Sequence, residues 1–371
     1  MIQSKDFIIF LKSLKLSDFL MVPCSIFKPL TDYLLNDKTE LIFPPNEAHA
    51  VGFAVGSYSI SNEPAVIFMQ NSGVNNIANA ITSLHSLYKI PMILIVSWRG
   101  EPGKNDAPEH QIMGKILKKY FSLLDIPFKV LSKNWKKELR EMVKLSKNKK
   151  KSVALIVCDG FFDGEKCQID DISEKYPLSR FEAIKIIKEN LGEKTVFVST
   201  NGFTSRDSFS VRPTKDFYML GSMGHVFSIG AGVAWQLKKQ SSNLRTVIFD
   251  GDGGCLMHLG SLTLVNLEKI NKSNLIYVVL DNECYESTGA QPTLSPKINF
   301  MKVAEGLGFP QRFFVDKKEE LIKVTKDLKP NSAAFIHIKI NQGGRKEVSR
   351  VSDKYTCDQI TKRFRNNFIK K

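Results

Sequence analysis

The feature that most constrains the fold is the alternation of short, continuous apolar runs with amphipathic stretches. The apolar runs have the length of buried strands, and stretches such as Ala48–Ser59 and Arg180–Asn190 have helical periodicity. Continuous apolar strands separated by helices indicate parallel sheets covered on both faces, and therefore an α/β protein. The predicted strands are Leu20–Pro23, Ala65–Met69, Met92–Val96, Ser152–Val157, Thr195–Ser199, Thr246–Phe249, Leu275–Leu280 and Ala334–Ile340.

Chain length and a change in composition divide this pattern into two halves. The 371 residues allow two or three domains of about 150 residues each. The stretch Asp163–Pro177 is polar and acidic, and beyond it Ser179 and Glu182 have the spacing of a capping box at a helix start. We therefore predict domains at residues 1–165 and 178–371, each a mainly parallel sheet flanked by helices, with a linker at residues 166–177.

The net charge of +15, from 53 Lys and Arg against 38 Asp and Glu, favours an anionic partner. The run Lys147–Lys151 is interpreted as a solvated turn before a strand, and the other basic residues are dispersed without an aromatic platform for bases. The longest apolar run, Ile90–Trp98, has about half of the ~20 residues that a membrane helix needs. We therefore expect a small polyanion as partner, and neither nucleic acid nor a membrane.

The N-terminus carries no signal-peptide pattern, and the six cysteines are dispersed without the spacing of a metal site. Cysteines in such a chain are expected to be reduced thiols. The sequence therefore predicts a cytoplasmic protein without a cysteine zinc site.

The most informative motif for function is Asp250-Gly251-Asp252-Gly253-Gly254, which follows a predicted strand and precedes the helix-like Leu256–Leu267. Glycines let the backbone approach a phosphate closely, and a helix N-terminus offers N–H groups and a positive dipole. The carboxylate of Asp252 would repel a phosphate unless a cation lay between them, and oxygen ligands suit Mg²⁺. Taken alone, the motif is equally compatible with a plain tight turn.

A second strand end strengthens the metal interpretation. Asn282 follows the strand Leu275–Leu280, about thirty positions after Asp252. Two parallel strands joined by one helix place their carboxyl ends side by side, where α/β proteins bind ligands. Asp252 and Asn282 can then share one cation.

A GDG motif followed by Asn at this spacing resembles the cofactor motif of thiamin-diphosphate enzymes. The resemblance implies that Asp252, Asn282 and the backbone carbonyl of Cys284 hold the Mg²⁺ that binds the diphosphate. It also makes Met223, in Gly221-Ser222-Met223-Gly224, an apolar wedge beneath the cofactor, and Glu47 the partner of the pyrimidine ring nitrogen. Ordinary core packing for Met223 and a first-turn glutamate for Glu47 are the alternatives. The cofactor-binding residues implied are Ser72, Gly73, Asn76, Thr200, Gly221, Ser222, Met223, Gly253, Gly254, Cys255 and Tyr285.

Several longer stretches resemble the phosphonopyruvate and sulfopyruvate decarboxylase group, which lacks the middle domain of many thiamin-diphosphate enzymes. The resemblance extends from about Phe7 to Ile340, and it departs from many relatives at Cys24, where they have Asp, and at Asn201, where a second Thr is common. It implies decarboxylation of phosphonopyruvate, and a homodimer or larger homo-oligomer with sites at subunit interfaces. The matching stretches are Val22–Ser25, Gln70–Gly73, Trp98–Gly103, Pro108–Gln111, Ser199–Gly202 and Thr204–Arg206.

An anionic 2-oxo acid substrate needs cations beyond the metal. Arg99 and Lys104 follow a predicted strand, and Lys28 follows the turn at Ser25; Arg99 can bind a phosphonate in bidentate fashion. With Ser25 and Asn71 they form the expected substrate-binding set, although Arg99 can equally pair with Glu101 or another carboxylate.

His110 and Glu47 are the expected catalytic residues. His110 can donate a proton or a hydrogen bond to the substrate, and a surface histidine is the alternative. Rival functions are a sulfopyruvate decarboxylase, another thiamin-diphosphate lyase of 2-oxo acids, and a basic nucleic-acid-binding protein on a degenerate thiamin fold.

Overall fold

The computed structural model describes residues 1–164, 175–213, 215–345 and 348–368. The chain divides into two compact units, Met1–Ile169 and Asp170–Lys371. The predicted linker, residues 166–177, spans this division, and its residues 166–174, including Cys167, lie outside the described parts of the chain.

The first unit is an α/β unit whose helices follow the strands. Within residues 1–164 the strands are β1 (Ile2–Gln3), β2 (Phe19–Met21), β3 (Leu41–Ile42), β4 (Val66–Gln70), β5 (Ile93–Ser97), β6 (Phe128–Val130), β7 (Val153–Val157) and β8 (Phe162–Asp163). The helices are α1 (Ser4–Ser13), α2 (Lys28–Asn36), α3 (Glu47–Ser61), α4 (Val74–Ala80), α5 (Ser86–Tyr88), α6 (Gln111–Leu123) and α7 (Trp135–Lys149). The run Lys147–Lys151 forms the end of α7 and the connection to β7, where Lys147 binds Glu63 at 2.6 Å.

The second unit repeats this alternation. Its described strands are β9 (Thr195–Ser199), β10 (Asp216–Tyr218), β11 (Arg245–Gly251), β12 (Leu275–Asp281), β13 (Cys284–Tyr285), β14 (Gln291–Pro292), β15 (Gln311–Val315) and β16 (Ala334–Lys339). Its described helices are α8 (Arg180–Leu191), α9 (Phe203–Ser210), α10 (Val226–Lys239), α11 (Asp252–Met257), α12 (Glu268–Asn271), α13 (Phe300–Gly306), α14 (Lys318–Asp327) and α15 (Cys357–Asn366). The predicted capping box between Ser179 and Glu182 is present at the start of α8.

Both units contain a parallel sheet with the same strand order. The first sheet runs β3-β2-β4-β5-β7-β6 and the second β10-β9-β11-β12-β16-β15. Numbered along the chain, both orders are 2-1-3-4-6-5, so the order reverses between β2 and β4 in one unit and between β9 and β11 in the other. α/β sheets bind ligands at such a reversal, beyond the carboxyl ends of the strands.

The hydrophobic core lies on both faces of each sheet. Alternate residues of the inner strands point to opposite faces, for example Ile95 to one cluster and Val96 to the other. The same holds in the second sheet, where Val278 and Val279 belong to different clusters. The predicted fold class, two α/β units with covered parallel sheets, is confirmed. None of the helices in the described residues combines the length and apolar character needed to cross a bilayer.

Candidate active site

Glu47 is a buried acid at the start of helix α3, beyond the carboxyl end of β3. Asn46 caps this helix by accepting a hydrogen bond from the His49 amide at 3.2 Å. Glu47 is 5% exposed, and its Oε2 accepts a hydrogen bond from Asn76 Nδ2 at 2.7 Å. Burial raises the pKa of Glu47, and the Asn76 hydrogen bond opposes part of that rise. A side chain on Gly73 would overlap the Glu47 carboxylate, so the turn at Gly73 lies directly against it.

Gln70, at the end of β4, connects a row of polar side chains on the same sheet edge. Its Nε2 donates to Ser72 Oγ at 2.7 Å and lies 3.5 Å from His110 Nδ1. Its Oε1 accepts from Cys24 Sγ at 3.5 Å, and Cys24 Sγ is 3.1 Å from Ser97 Oγ. Burial raises the pKa of the Cys24 thiol, so it stays protonated at neutral pH.

Arg99 lies on the loop after β5, and Asp106 holds its guanidinium in two-point contact. Nε and Nη2 of Arg99 donate to the two Asp106 oxygens at 2.7 and 2.5 Å, and Nη1 donates to Ser25 Oγ at 3.2 Å. Asn71 binds the backbone of Arg99 at both its amide and its carbonyl, at 3.2 and 2.7 Å. The hydrogen bonding that Arg99 donates to Asp106 raises the pKa of Arg99. The sequence left open a pair with Glu101 or another carboxylate, and the partner is Asp106.

The two predicted substrate lysines also have carboxylate partners. Lys28 binds Asp32 at 2.6 Å, one helical turn along α2, and Lys104 binds Glu101 at 2.7 Å. Both ammonium groups remain substantially exposed. The three cations predicted to bind the substrate are therefore each paired with an acid.

In the second unit, adjacent strands bring the two metal-binding stretches together. Gly251 of β11 lies opposite Leu280 of β12 in a parallel register. Asp252 directly follows β11 and Asn282 directly follows β12, and both are buried. A side chain on Gly253 would overlap the ring of Tyr285, so the glycine stretch packs directly on the loop that contains Asn282 and Cys284.

The helix predicted at Leu256–Leu267 is wrong in its bounds. The α-helix begins earlier, at Asp252, and ends at Met257, because His258 leaves helical geometry with φ −134° and ψ 48°. A 3₁₀-helix follows at Leu259–Asn266. Gly253 and Gly254 therefore belong to the first helical turn rather than to a loop, since small residues there fit against Tyr285 and the buried Asp250.

Asp252 has an electrostatic environment that favours a cation. Its Oδ2 accepts a hydrogen bond from Thr293 Oγ1 at 2.5 Å. Burial, and then the nearby charge of Asp281, raise the pKa of Asp252 well above its ordinary value. Burial also raises the pKa of Asp281, but hydrogen bonds from His337, Lys339 and Ser295 together lower it to about 2. A divalent cation beside Asp252 would offset the repulsion between the Asp252 and Asp281 carboxylates.

The remaining predicted cofactor residues lie on neighbouring loops of the second unit. Thr200 follows β9 and is buried. Ser222 has φ +61°, in the left-handed region that is uncommon for residues other than glycine. Met223 is half-buried, and the hydrophobic clusters of the described residues do not include it. Cys255, by contrast, is buried in the core, so only its backbone is available to a ligand.

The predicted donor set in the second unit fits Mg²⁺ in its chemistry. Asp252, Asn282 and the Cys284 carbonyl are all oxygen donors, which Mg²⁺ prefers. The described residues contain no group of three or more His, Cys, Asp or Glu side chains that could hold a metal ion. In the first unit, Glu47 is a buried carboxyl of the kind that can hydrogen-bond a ring nitrogen.

Sequence reasoning missed four residues that complete these edges. Gln70 and Ser97 end inner strands, one residue beyond the predicted limits, and Asp106 binds Arg99 from within the same loop. The fourth is Glu286, whose Oε2 accepts from Asn282 Nδ2 at 2.9 Å. A polar residue at the end of an apolar strand was the available signal for the first two.

Comparisons with known families place this architecture in a class. The family model described as "Thiamine pyrophosphate enzyme, N-terminal TPP binding domain" matches residues 3–119. The model "Thiamine pyrophosphate enzyme, C-terminal TPP binding domain" matches residues 200–338. The fold and its two polar sheet edges thus define a thiamin-diphosphate-dependent enzyme.

Three curated relatives indicate which group of thiamin-diphosphate-dependent enzymes the chain belongs to. The chain is 28% identical to phosphonopyruvate decarboxylase of Streptomyces hygroscopicus over 98% of this chain and 94% of that one. It is 27% identical to sulfopyruvate decarboxylase of Methanosarcina acetivorans, over 93% and 92% respectively. It is 38% identical to sulfopyruvate decarboxylase subunit beta of Methanothermobacter thermautotrophicus, over 45% of this chain and 84% of that subunit. The chain belongs to the phosphonopyruvate and sulfopyruvate decarboxylase family of carboxy-lyases.

Proposed function

We propose that the protein converts 3-phosphonopyruvate to phosphonoacetaldehyde and CO₂ with thiamin diphosphate and Mg²⁺, as a step in the biosynthesis of phosphonates of the 2-aminoethylphosphonate type. The observation that carries an anionic 2-oxo acid as the substrate is the Arg99 loop. Its guanidinium is oriented by Asp106, its backbone is fixed by Asn71, and it reaches Ser25 beyond β2, on the far side of β4. Such a planar, oriented cation matches a phosphonate in geometry and charge.

Each half of the site has a distinct task in this proposal. Thiamin diphosphate, when bound, supplies the carbon nucleophile for the 2-oxo group and accepts the electron pair left by CO₂. Glu47 holds a proton at the pyrimidine ring, because burial raises its pKa. Asp252, Asn282 and the Cys284 carbonyl would hold the Mg²⁺ that binds the diphosphate, and Met223 would provide an apolar contact to the cofactor. His110 positions a proton near the substrate.

Sulfopyruvate decarboxylation is the second candidate, because relatives with that name match the chain as well. The sulfopyruvate decarboxylase of Methanosarcina acetivorans aligns with 93% of this chain, so having both units in one chain does not distinguish the two activities. A sulfonate and a phosphonate present similar oxygen geometry to Arg99, but a phosphonate carries the greater negative charge near neutral pH. Lys28 and Lys104 are paired with Asp32 and Glu101 but remain exposed, so their ammonium groups can still contact the additional charge of a phosphonate.

We further propose a cytoplasmic homodimer or larger homo-oligomer with active sites at subunit interfaces. The outer face of α3 supports this proposal. Phe53 and Ile60 are 48% and 92% exposed there, and Gly52 and Gly56 have open space above them. An apolar helix face with small residues allows close approach of a second copy, and Glu47 begins the same helix. Sedimentation of the full chain, with Phe53→Glu as the disrupting variant, tests the assembly.

The deciding experiment measures aldehyde release by coupled reduction from phosphonopyruvate, sulfopyruvate and pyruvate, each with and without thiamin diphosphate and Mg²⁺. We expect turnover that requires the cofactor and strongly favours phosphonopyruvate. A preference for sulfopyruvate would keep the mechanism and replace the substrate. Absence of turnover with all three, despite cofactor binding, would overturn the proposed substrate class.

A further inference from the structure

Glu286 lies in the metal-binding loop and accepts hydrogen bonds from three separate parts of the second unit. Its side chain is 12% exposed. Oε2 accepts from Asn282 Nδ2 at 2.9 Å and from Arg180. Oε1 accepts from the backbone N–H groups of Gly343, at 2.8 Å, and Gly344. A carboxylate surrounded by this many hydrogen-bond donors is fixed in position.

The carboxylate decides which way the Asn282 amide points. Both Glu286 oxygens accept hydrogen bonds from N–H groups, so the Asn282 NH₂ group faces Glu286 and the Asn282 carbonyl oxygen faces the opposite side. On that side Oδ1 accepts from the Cys284 amide at 3.3 Å. The side-chain amide of Asn282 is therefore held at its nitrogen by Glu286 and at its oxygen by the backbone of Cys284, the other proposed ligand residue.

The charge of Glu286 is compensated, so it does not compete with Asp252 for a cation. Arg180 lies between Glu286 and Asp207, 3.7 Å from Asp207, and Arg345 binds Asp207 at 2.9 Å. Two acids and two arginines form a neutral network that is mostly buried. A compensated carboxylate is a hydrogen-bond anchor rather than a metal ligand.

The segment 342–345 holds this network from the other side of the loop. Gln342 Nε2 donates to the Asn282 carbonyl at 3.3 Å, the next two residues donate to Glu286, and Arg345 binds Asp207. This short segment therefore touches Asn282, Glu286 and helix α9 in succession.

We propose that Glu286 is a positioning residue of the metal site: it orients the Asn282 side chain so that its carbonyl oxygen binds the cation, and the segment 342–345 holds Glu286 in place. This inference rests on the Mg²⁺ site of the proposed function. Residues that orient metal ligands in this way typically change metal affinity about 10- to 100-fold when replaced. Nothing in the sequence motif itself points to Glu286, because it follows the motif by four positions.

The test is Mg²⁺ binding by calorimetry, at saturating thiamin diphosphate, to the full chain and to Glu286→Gln. The amide keeps the size of the side chain but presents NH₂ toward the donors of Asn282 and Gly343. We expect Mg²⁺ affinity to fall about 10- to 100-fold, while the thermal midpoint of the metal-free protein changes little. Glu283→Gln is the matched control, since Glu283 lies in the same loop and is paired with Lys339 and Lys175 instead.

If Glu286→Gln binds Mg²⁺ as tightly as the wild type, the inference is overturned and the proposed function stays intact. The same holds if Glu283→Gln loses as much Mg²⁺ affinity as Glu286→Gln does. If the wild-type protein binds thiamin diphosphate without any divalent cation, both the inference about Glu286 and the proposed function with Mg²⁺ are overturned. If Glu286→Gln does not fold, Glu286→Asp replaces it, because Asp keeps the charge beside Arg180 but cannot reach Asn282 as closely. Unchanged Mg²⁺ affinity in that folded variant would likewise overturn the inference.

Discussion

The two units share one strand order but place different chemistry on the equivalent strand ends. The loop after the second strand of each sheet precedes a long helix; in the first unit it ends in Glu47, and in the second it contains Met223. After the third strand, the first unit has the neutral Gln70 turn, and the second has the acidic Asp252. The first edge is thus suited to proton and substrate contacts, and the second to binding a metal and a diphosphate. One topology therefore serves two tasks, because the loops beyond equivalent strand ends carry different residues.

The largest expected effect concerns proton handling in the first unit. Glu47→Gln keeps the size of the side chain and the contact with Asn76 but removes the acid. We expect kcat to fall about 10³-fold, with thiamin diphosphate affinity within a few-fold of wild type. Steady-state kinetics and calorimetry on the same preparation check this, with Glu63→Gln, beyond the other end of α3, as control. Near-normal kcat would remove Glu47 from the mechanism.

In the second unit we expect a replacement to lower cofactor affinity, whereas Glu47→Gln in the first unit lowers kcat. Asp252→Ala removes the proposed carboxylate ligand, so we expect Mg²⁺-dependent cofactor affinity to fall about 100-fold or more, beyond the range for residues that only orient ligands. Calorimetry with and without Mg²⁺ measures it, and Glu268→Gln on the nearby exposed helix α12 is the control. Unchanged affinity would contradict the metal assignment, and the second sheet edge could then no longer be contrasted with the first as a metal-binding edge.

Substrate affinity should depend on the first unit alone. Arg99→Ala removes a charged two-point contact, for which a loss of about 2 kcal/mol corresponds to a KM raised roughly 30-fold. Thiamin diphosphate affinity should stay within two-fold, and Arg99→Lys should recover only part of the loss, because it lacks the planar fork. Equal losses of substrate and cofactor affinity would show that Arg99 supports the structure instead.

The smallest expected effect is a loss of stability at acid pH, and it concerns His85 of the first unit rather than His337 of the second. Burial lowers the pKa of His85 to about 4, and its Nε2 lies 2.7 Å from the Ser152 hydroxyl, whereas His337 lies 2.8 Å from the Asp281 carboxylate. The unfolded chain protonates His85 near pH 6.5 and the folded chain near pH 4, so its contribution to stability is lost as the pH falls through this interval.

We expect the free energy of unfolding to drop by about 1–2 kcal/mol between pH 7 and pH 4.5 on account of His85. Denaturant titrations at a series of pH values measure this loss. His85→Gln, which retains a polar group for Ser152 but does not titrate, should flatten that part of the profile. An equally steep profile in the variant would assign the acid sensitivity to other groups.

The sequence was sufficient for the inner strands and insufficient for the sheet edges. All eight predicted strands occupy inner positions of the two sheets, where burial on both faces gives continuous apolar runs. The four edge strands, β3, β6, β10 and β15, were not predicted, because they are short or partly exposed and mix polar with apolar residues. The helix at Asp252 was misplaced because its first turn contains glycines, which propensity assigns to loops.

The site was predictable only where a motif encodes it. Asp252 and Asn282 follow neighbouring inner strands, so topology predicts that they meet. The contact between Glu47 and Asn76, and that between Arg99 and Asp106, depend on how particular side chains pack. Periodicity carries no information about such pairs. The roles assigned to these residues stay predictions until the variants above are measured.

The pairing of Arg99, Lys28 and Lys104 with carboxylates has a kinetic consequence. A site whose cations are already neutralised exerts little long-range attraction on an incoming anion, so the attraction must come from the field of the whole chain, with its net charge of +15. Salt should therefore slow the capture of a multiply charged anion, through Debye screening, far more than it hastens its escape. In the proposed complex Asp106 would keep its contacts with Nε and Nη2 of Arg99, and the anion would bind at the Nη1 side, which faces Ser25.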